Sequence, residues 1–132
     1  MRITESQLRK IVSSLLKEAN ELTVPLVLDR FSYEVLYHNE IAHFENIPGV
    51  NDEPHLRFYA DWEKGRRHYS GYRFPASRTS LQYLVKSIDY ALDIIIHHQL
   101  DDPRNYPDAK RQIASLKRLD STVKDLLTKM PA

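Results

Sequence analysis

The chain has 132 residues and a net charge of +1, and its content of 42% hydrophobic and 28% charged residues is typical of one globular domain with one core. It contains no cysteine, which excludes disulfides, thiolate metal sites and thiol nucleophiles. The longest aliphatic run, Ile94-Ile95-Ile96, is far shorter than the roughly 20 residues that cross a bilayer, and the N-terminus lacks the apolar stretch of a secretory signal, so we expect a cytoplasmic protein without membrane contact.

Charge is distributed in blocks along the chain. Residues 21–54 hold seven acidic residues and one basic residue, whereas residues 55–78 hold six basic and two acidic residues. A nearly neutral chain divided in this way can present a basic face to a partner. The alternative is that the two blocks form ion pairs with each other inside the fold.

The first predicted element is an amphipathic helix within residues 1–19. Thr4 at the N-cap and Gln7 three residues later form a capping-box pattern, and Ile3 and Leu8 fit a hydrophobic staple. About 15 residues are marginal for an isolated helix, so its apolar stripe must lie against its own domain or another protein. That stripe consists of Leu8, Ile11, Val12, Leu15 and Leu16.

The next segments are less regular. Residues 23–30 predict a short extended segment or linker, because Pro25 prevents a helix from continuing. Residues 31–47 fit either strand alternation or one helical face, and their length without Gly or Pro favours a helix. Residues 47–54 have the composition of a loop.

A β-hairpin is predicted over about residues 55–74. Residues 55–62 and 67–74 both alternate apolar with polar or aromatic side chains, and Gly65 lies between them. The apolar face would carry Leu56, Phe58, Ala60 and Trp62. The other face would be basic and aromatic.

Two helices are predicted in the C-terminal half, over about residues 79–100 and 107–129. Ser77 or Thr79 can cap the first of them. The second has a 3-4-3-4 spacing that suits packing against another helix or a partner chain, through Leu116, Leu119, Val123, Leu126 and Met130. The predicted fold class is therefore helix-rich α+β, with three to four helices packed with one hairpin.

The basic face of the hairpin is the candidate binding surface. Arginine guanidinium groups match phosphate oxygens in a bidentate fashion, and tyrosine faces can stack on unpaired bases. Alternatively, this is a solvated face whose arginines pair with acids of residues 21–54. The predicted nucleic-acid-binding residues are Arg57, Tyr59, Arg66, Arg67, Tyr69, Tyr72, Arg73 and Arg78.

A metal site is a second, weaker candidate. Asp89, Asp93 and His97 are spaced by four and would share one helix face, where a divalent metal could use Asp93 and His97. These positions are also where a solvated face must lie. The sequence contains no glycine-rich phosphate loop and no G-x-S-x-G motif, so we predict no catalytic residue and no cofactor.

The segment "MRITESQLRKI" followed by "LLKEA" resembles an N-terminal peptide found on many otherwise unrelated proteins of tailed bacteriophages, especially marine ones. The resemblance covers about 19 of the 132 residues. It implies a head-targeting peptide, which a phage maturation protease would cut after a glutamate two positions beyond a Leu or Ile, as in Leu16-Lys17-Glu18. Residues 1–19 would then be a targeting segment and residues 20–132 the globular domain, in the host cytoplasm or the virion interior.

These patterns together predict a non-enzymatic, phage-type accessory protein that acts by binding, with nucleic acid as its partner. One alternative is a small metal-dependent hydrolase that uses Asp89, Asp93 and His97. The other is a structural protein that associates with itself or with a protein partner through its N-terminal or C-terminal helix.

Overall fold

The computed structural model describes residues 4–18, 22–42, 53–69 and 71–130, with the backbone alone for residues 12–18. The described residues form five α-helices and an antiparallel sheet of three strands, which confirms the helix-rich α+β class. In chain order the elements are α1 (Glu5–Glu18), β1 (Thr23–Leu28), α2 (Arg30–Leu36), α3 (Glu53–Glu63), β2 (Arg66–His68), β3 (Gly71–Ser77), α4 (Arg78–Ile94) and α5 (Ala109–Lys129). A π-helical turn extends α2 over Tyr37–Ile41, and another extends α4 over Ile95–Gln99.

The sheet has the order β1-β3-β2, and its two faces differ. Leu26 and Phe74 pair across the first ladder and are buried in the core. Val27 and Arg73 pair one position further along, on the opposite face, and are exposed. Antiparallel sheets commonly keep one face in solvent in this way, and this second face carries the candidate site.

A β-hairpin is present, but it pairs Arg66–His68 with Gly71–Ser77, so its turn lies inside the predicted second strand and not at Gly65. The first strand, predicted for residues 55–62, is wrong because these residues belong to α3. Every residue from His55 to Trp62 is buried. The alternation of apolar and polar residues in this segment therefore does not correspond to a buried and an exposed face of a strand. The loop predicted for residues 47–54 is wrong at Glu53 and Pro54, which begin the helix. Proline is well tolerated in a first helical turn. The rest of that predicted loop lies outside the described residues.

Helices α1 and α4 begin where their capping residues predict. Thr4 and Gln7 form the capping box, with 2.9 Å from Thr4 N to Gln7 Oε1 and 3.1 Å from Gln7 N to Thr4 Oγ1. The Ser77 side chain accepts a hydrogen bond from Ser80 N and caps α4. The predicted helix over residues 31–47 is confirmed as far as residue 41, and residues 43–47 lie outside the described ranges.

The α1 helix lies against α3. Ile11 is buried in the core, whereas Leu8 is about half exposed, at 52%. The predicted staple residue Ile3 and the side chains of Val12, Leu15 and Leu16 lie outside the description. The targeting role of this helix stays a prediction.

The apolar seam of α5 is occupied within the chain itself. Leu116, Val123 and Met130 are buried, and α5 packs against α2 and α4. This seam is therefore part of the hydrophobic core and not a free surface for a partner. None of the helices in the described ranges combines the length and apolar character needed to cross a bilayer.

Asp29 links α2 to α5, and its lowered pKa predicts that the fold loses stability in acid. Burial alone would raise the pKa of Asp29, but hydrogen bonds from Ser115, Ser32 and Arg118 outweigh it and hold the pKa below the usual 3.8. The carboxylate therefore stabilises the fold above pH 3.8, and this stabilisation is lost as the pH falls through the lowered pKa.

Asp29→Asn keeps an N-cap side chain but removes the charge. We expect the variant to be less stable than the wild type at pH 7, with a difference that shrinks between pH 5 and pH 2.5 in urea unfolding. Asp101→Asn, in the exposed loop before α5, is the control and should show no such difference. If the difference in stability between Asp29→Asn and the wild type does not change with pH, the Asp29 charge does not stabilise the fold in this way.

Candidate nucleic-acid interface

Two of the predicted contact residues, Arg57 and Tyr59, lie in the interior. The two residues are 3% and 5% exposed, so the outward face predicted for them is wrong. The Arg57 guanidinium contacts Asp61 on the next turn of α3, with 3.3 Å between Nε and Oδ1. Burial, together with the negative charge of Glu63, raises the pKa of the Tyr59 hydroxyl. Neither side chain is available to a ligand.

Asp61 is the centre of a buried polar cluster that was not predicted from the sequence. Its Oδ2 accepts hydrogen bonds from Ser77 N at 2.9 Å, from Ser77 Oγ at 2.7 Å and from Ser80 Oγ. These groups belong to the start of α4, where backbone N–H groups lack helical partners and a negative charge is favoured. The four-residue spacing from Arg57 was the only signal in the sequence. The cluster joins α3 to α4 and is structural.

Tyr72 and Arg78 are also used by the fold. The Tyr72 hydroxyl donates to the carbonyl oxygen of Trp62 at 2.6 Å, and burial raises its pKa to about 12. Arg78 Nη1 donates to the carbonyl oxygens of Leu127 and Met130, at 3.3 and 3.4 Å. It therefore fixes the end of α5 to the start of α4. These two residues support the surface without belonging to it.

Arg66 and Arg73 remain exposed and face each other. They are directly paired in the β2–β3 ladder, so their side chains project from the same face of the sheet. Neither has a carboxylate partner within the described ranges, and the expected pairing with acids of residues 21–54 is therefore not found there. Like charges directly opposite each other destabilise a sheet. An anion bound between the two guanidinium groups would remove that repulsion.

A cavity of about 490 Å³ lies over this face of the sheet. Its lining is basic, because Lys64 lies beside the Arg66–Arg73 pair, whereas the Arg67 side chain projects from the opposite face of β2. Lys64 and His68 were not among the residues predicted from the sequence. The contribution of β1 was not predicted either, because only the pairing of β1 with β3 brings it next to the hairpin. The cavity is lined by Thr23, Pro25, Lys64, Arg66, Arg67, His68, Arg73, Phe74 and Pro75.

Arg67 is held in place by an aromatic stack. Its guanidinium carbon lies 4.2 Å from the centroid of the Tyr33 ring, the geometry of a cation–π contact. The Tyr33 ring stacks on Trp62 at 5.5 Å, and Trp62 stacks on Tyr72 at 4.8 Å. The core thus supports the hairpin from below and orients one of its cations.

Tyr69 occupies the tip of the hairpin and is 96% exposed. Its φ of 50° lies in the left-handed region, which costs an L-residue roughly 1–2 kcal/mol. The His68 and Tyr69 rings lie edge to face, with their centroids 4.6 Å apart. An exposed aromatic side chain in a strained backbone position gains little from packing, so the reason for a tyrosine here must be sought outside the fold.

The alternative metal site does not assemble in the described part of the chain. His97 Nε2 lies 3.2 Å from Asp93 Oδ1, but both side chains are well exposed. The described residues contain no group of three or more histidine, aspartate or glutamate side chains that could hold a metal ion. Asp89, Asp93 and His97 therefore lie on a solvated helix face, with one contact between Asp93 and His97.

A second buried polar cluster joins the turn after α2 to α3 and α4. Ser87 Oγ donates to Glu40 Oε1 at 2.6 Å, and the Tyr83 hydroxyl donates to Glu40 Oε2. His55 Nε2 lies 3.2 Å from the Glu40 carbonyl oxygen, and its ring stacks on Tyr83. The serine is hydrogen-bonded to the carboxylate and not to the imidazole, which is not the order that activates a serine nucleophile.

The described residues form a helix-rich α+β domain whose three-stranded sheet carries Arg66 and Arg73 on its solvent-facing side. A scan against protein-family models, a search of curated proteins and a search of solved structures each gave no match to the chain.

Proposed function

We propose that this protein is a non-enzymatic accessory protein that binds nucleic acid through the exposed face of its β2–β3 hairpin. The observation that carries the proposal is the Arg66–Arg73 pair, which faces solvent without a carboxylate partner in the described residues. Lys64 borders the same cavity, and Arg67 lies on the other face of β2, over Tyr33. Several cations on one hairpin suit a ligand with repeated negative charges.

Phosphate is the anion that fits this arrangement best. A guanidinium offers paired N–H donors that match two phosphate oxygens, and two facing guanidinium groups can hold one phosphate from both sides. The cavity opens to solvent, so a chain of phosphates could continue past Arg66 and Arg73. A polymer with a phosphate backbone therefore explains more of this surface than a single small anion does.

A phage origin and a targeting role for the N-terminal helix are part of the same proposal. They are supported by the resemblance of residues 1–19 to the phage peptide and by the completed capping box at Thr4 and Gln7. A protein packaged in a phage head would encounter nucleic acid at high concentration. Binding through the hairpin would then suit such a location.

The test is binding of labelled single-stranded and double-stranded DNA, measured by fluorescence anisotropy between 50 and 300 mM salt. We expect Arg66→Glu/Arg73→Glu to weaken binding about tenfold or more and to reduce the salt slope by about one for each phosphate that the variant no longer binds. Both side chains are exposed, so the circular dichroism spectrum should not change.

The matched control is Arg104→Glu/Arg111→Glu. It changes the net charge by the same amount at two exposed arginines outside the hairpin. We expect it to retain most of the wild-type affinity. Equally weakened binding in the two double variants would mean that net charge alone causes binding, and no binding of wild-type protein at 50 mM salt would disprove the proposal.

A further inference from the structure

We infer that the hairpin selects single-stranded over double-stranded nucleic acid, with Tyr69 as the platform on which one unpaired base stacks. This inference rests on the proposed function. It adds the type of nucleic acid that is bound and the residue that contacts an unpaired base. It starts from a mismatch between Tyr69 and the turn that it occupies.

The turn itself does not favour a tyrosine. His68 and Gly71 are paired in the ladder, so the loop between them has two residues. Two-residue hairpin loops prefer Asn, Asp or Gly, because these tolerate a positive φ. Tyr69 has a φ of 50° and buries almost nothing, since 96% of its surface is exposed. A residue that strains its turn and packs little is best explained by a contact with another molecule.

The surroundings of Tyr69 indicate which molecule. Arg66 lies three residues back along β2, roughly 10 Å away at the usual strand rise of about 3.3 Å per residue. One extended strand could therefore place a phosphate at the Arg66–Arg73 pair and a base at Tyr69. Aromatic rings on positively charged surfaces are the usual platforms for unpaired bases, because every base offers a face to stack on.

A double strand fits this tip less well. Paired bases are stacked on one another, so their faces are not accessible to a ring at the end of a hairpin unless the duplex is opened. A duplex could still reach the arginines through its backbone. Tyr69 should therefore contribute to single-strand affinity and leave duplex affinity unchanged.

The experiment compares wild-type protein with Tyr69→Asn and Tyr69→Phe, using three labelled probes with nearly the same number of phosphates: a single-stranded DNA of about 24 nucleotides, an abasic single strand of the same length and a duplex of about 12 base pairs. We expect Tyr69→Asn to weaken binding of the single strand by about 5- to 150-fold, the range measured for one stacked base. Its affinities for the duplex and the abasic strand should stay within twofold of wild type. Tyr69→Phe keeps the ring and should bind the single strand as the wild type does.

A thermal melt provides a second readout that does not depend on binding. Asparagine relieves the positive φ, so Tyr69→Asn should melt a few degrees higher than wild type. A lower melting temperature would assign Tyr69 a structural role and overturn the inference.

The two proposals can fail separately. If wild-type protein binds none of the three probes, the proposed function fails and this inference fails with it. If the single strand binds equally well to wild type and Tyr69→Asn, or if wild type binds the duplex as tightly as the single strand, this inference fails and the proposed function stands. Weaker binding confined to the duplex would instead indicate that Tyr69 is inserted between base pairs, which also overturns the inference.

Discussion

Replacing Asp61 with alanine is expected to lower the free energy of unfolding by about 3–5 kcal/mol, the usual effect of removing one partner from a buried ion pair. Asp61 is fully buried and accepts hydrogen bonds from Arg57 and from Ser77 and Ser80 of α4. Alanine would leave the buried Arg57 guanidinium without this carboxylate. It would also leave the Ser77 N–H without its acceptor at the start of α4.

Thermal and urea unfolding both test this expectation. The melting temperature of Asp61→Ala should fall by about 10–20 °C for a chain of this size. Asp93→Ala is the matched control, because Asp93 is exposed and contacts His97 on the same helix, and it should change stability by less than about 0.5 kcal/mol. If the two variants are destabilised by similar amounts, Asp61 does not act as the buried link between α3 and α4.

Replacing Trp62 with alanine is the second large effect that we expect, at about 3–5 kcal/mol of unfolding free energy. Trp62 is 3% exposed and lies among the rings of Tyr33, Tyr72 and Phe74, at 5.5, 4.8 and 5.5 Å. Alanine would leave a cavity beneath the hairpin, because the β2–β3 backbone cannot collapse onto it without breaking the ladder.

The effect should extend to the surface that Trp62 supports. Trp62 contacts Tyr72 of β3 directly and Arg67 of β2 through Tyr33, so Trp62→Ala should disturb the hairpin and weaken nucleic-acid binding as well as stability. Tyr90→Ala is the control, since Tyr90 is an aromatic residue of α4 that is 63% exposed. Circular dichroism should follow unfolding, because Trp62 is the only tryptophan and its variant has no indole fluorescence. A stable Trp62→Ala protein would contradict the role of the aromatic stack.

The basic surface is arranged differently from the one that the sequence suggests. Eight arginines and tyrosines were predicted to bind nucleic acid, but the described structure leaves Arg66, Arg67, Tyr69 and Arg73 exposed on the hairpin. The other four hold the fold together, either in the core or at the junction of α4 and α5. The surface is therefore smaller, and Lys64 and His68 complete it.

The features that the sequence alone determines are local ones: the starts of two helices and the apolar spacing of a third. The starts of α1 and α4 follow from Thr4, Gln7 and Ser77, because a cap is formed by side chains within three residues of the helix start. The apolar spacing of α5 likewise predicts the residues that reach the core. These signals depend only on neighbouring residues, so they can be read without knowing the rest of the fold.

The tertiary structure decides what depends on distant neighbours. Residues 55–62 alternate like a strand, yet they form a helix that is buried on all sides, because α1, α4 and the sheet surround α3. Burial on every side removes the contrast on which a periodicity argument depends. The alignment of Arg66 with Arg73 and the positive φ of Tyr69 follow from strand register and turn geometry. The sequence thus determined which charges and rings the chain carries, and the packing of α3 beneath the sheet decided which of them reach solvent.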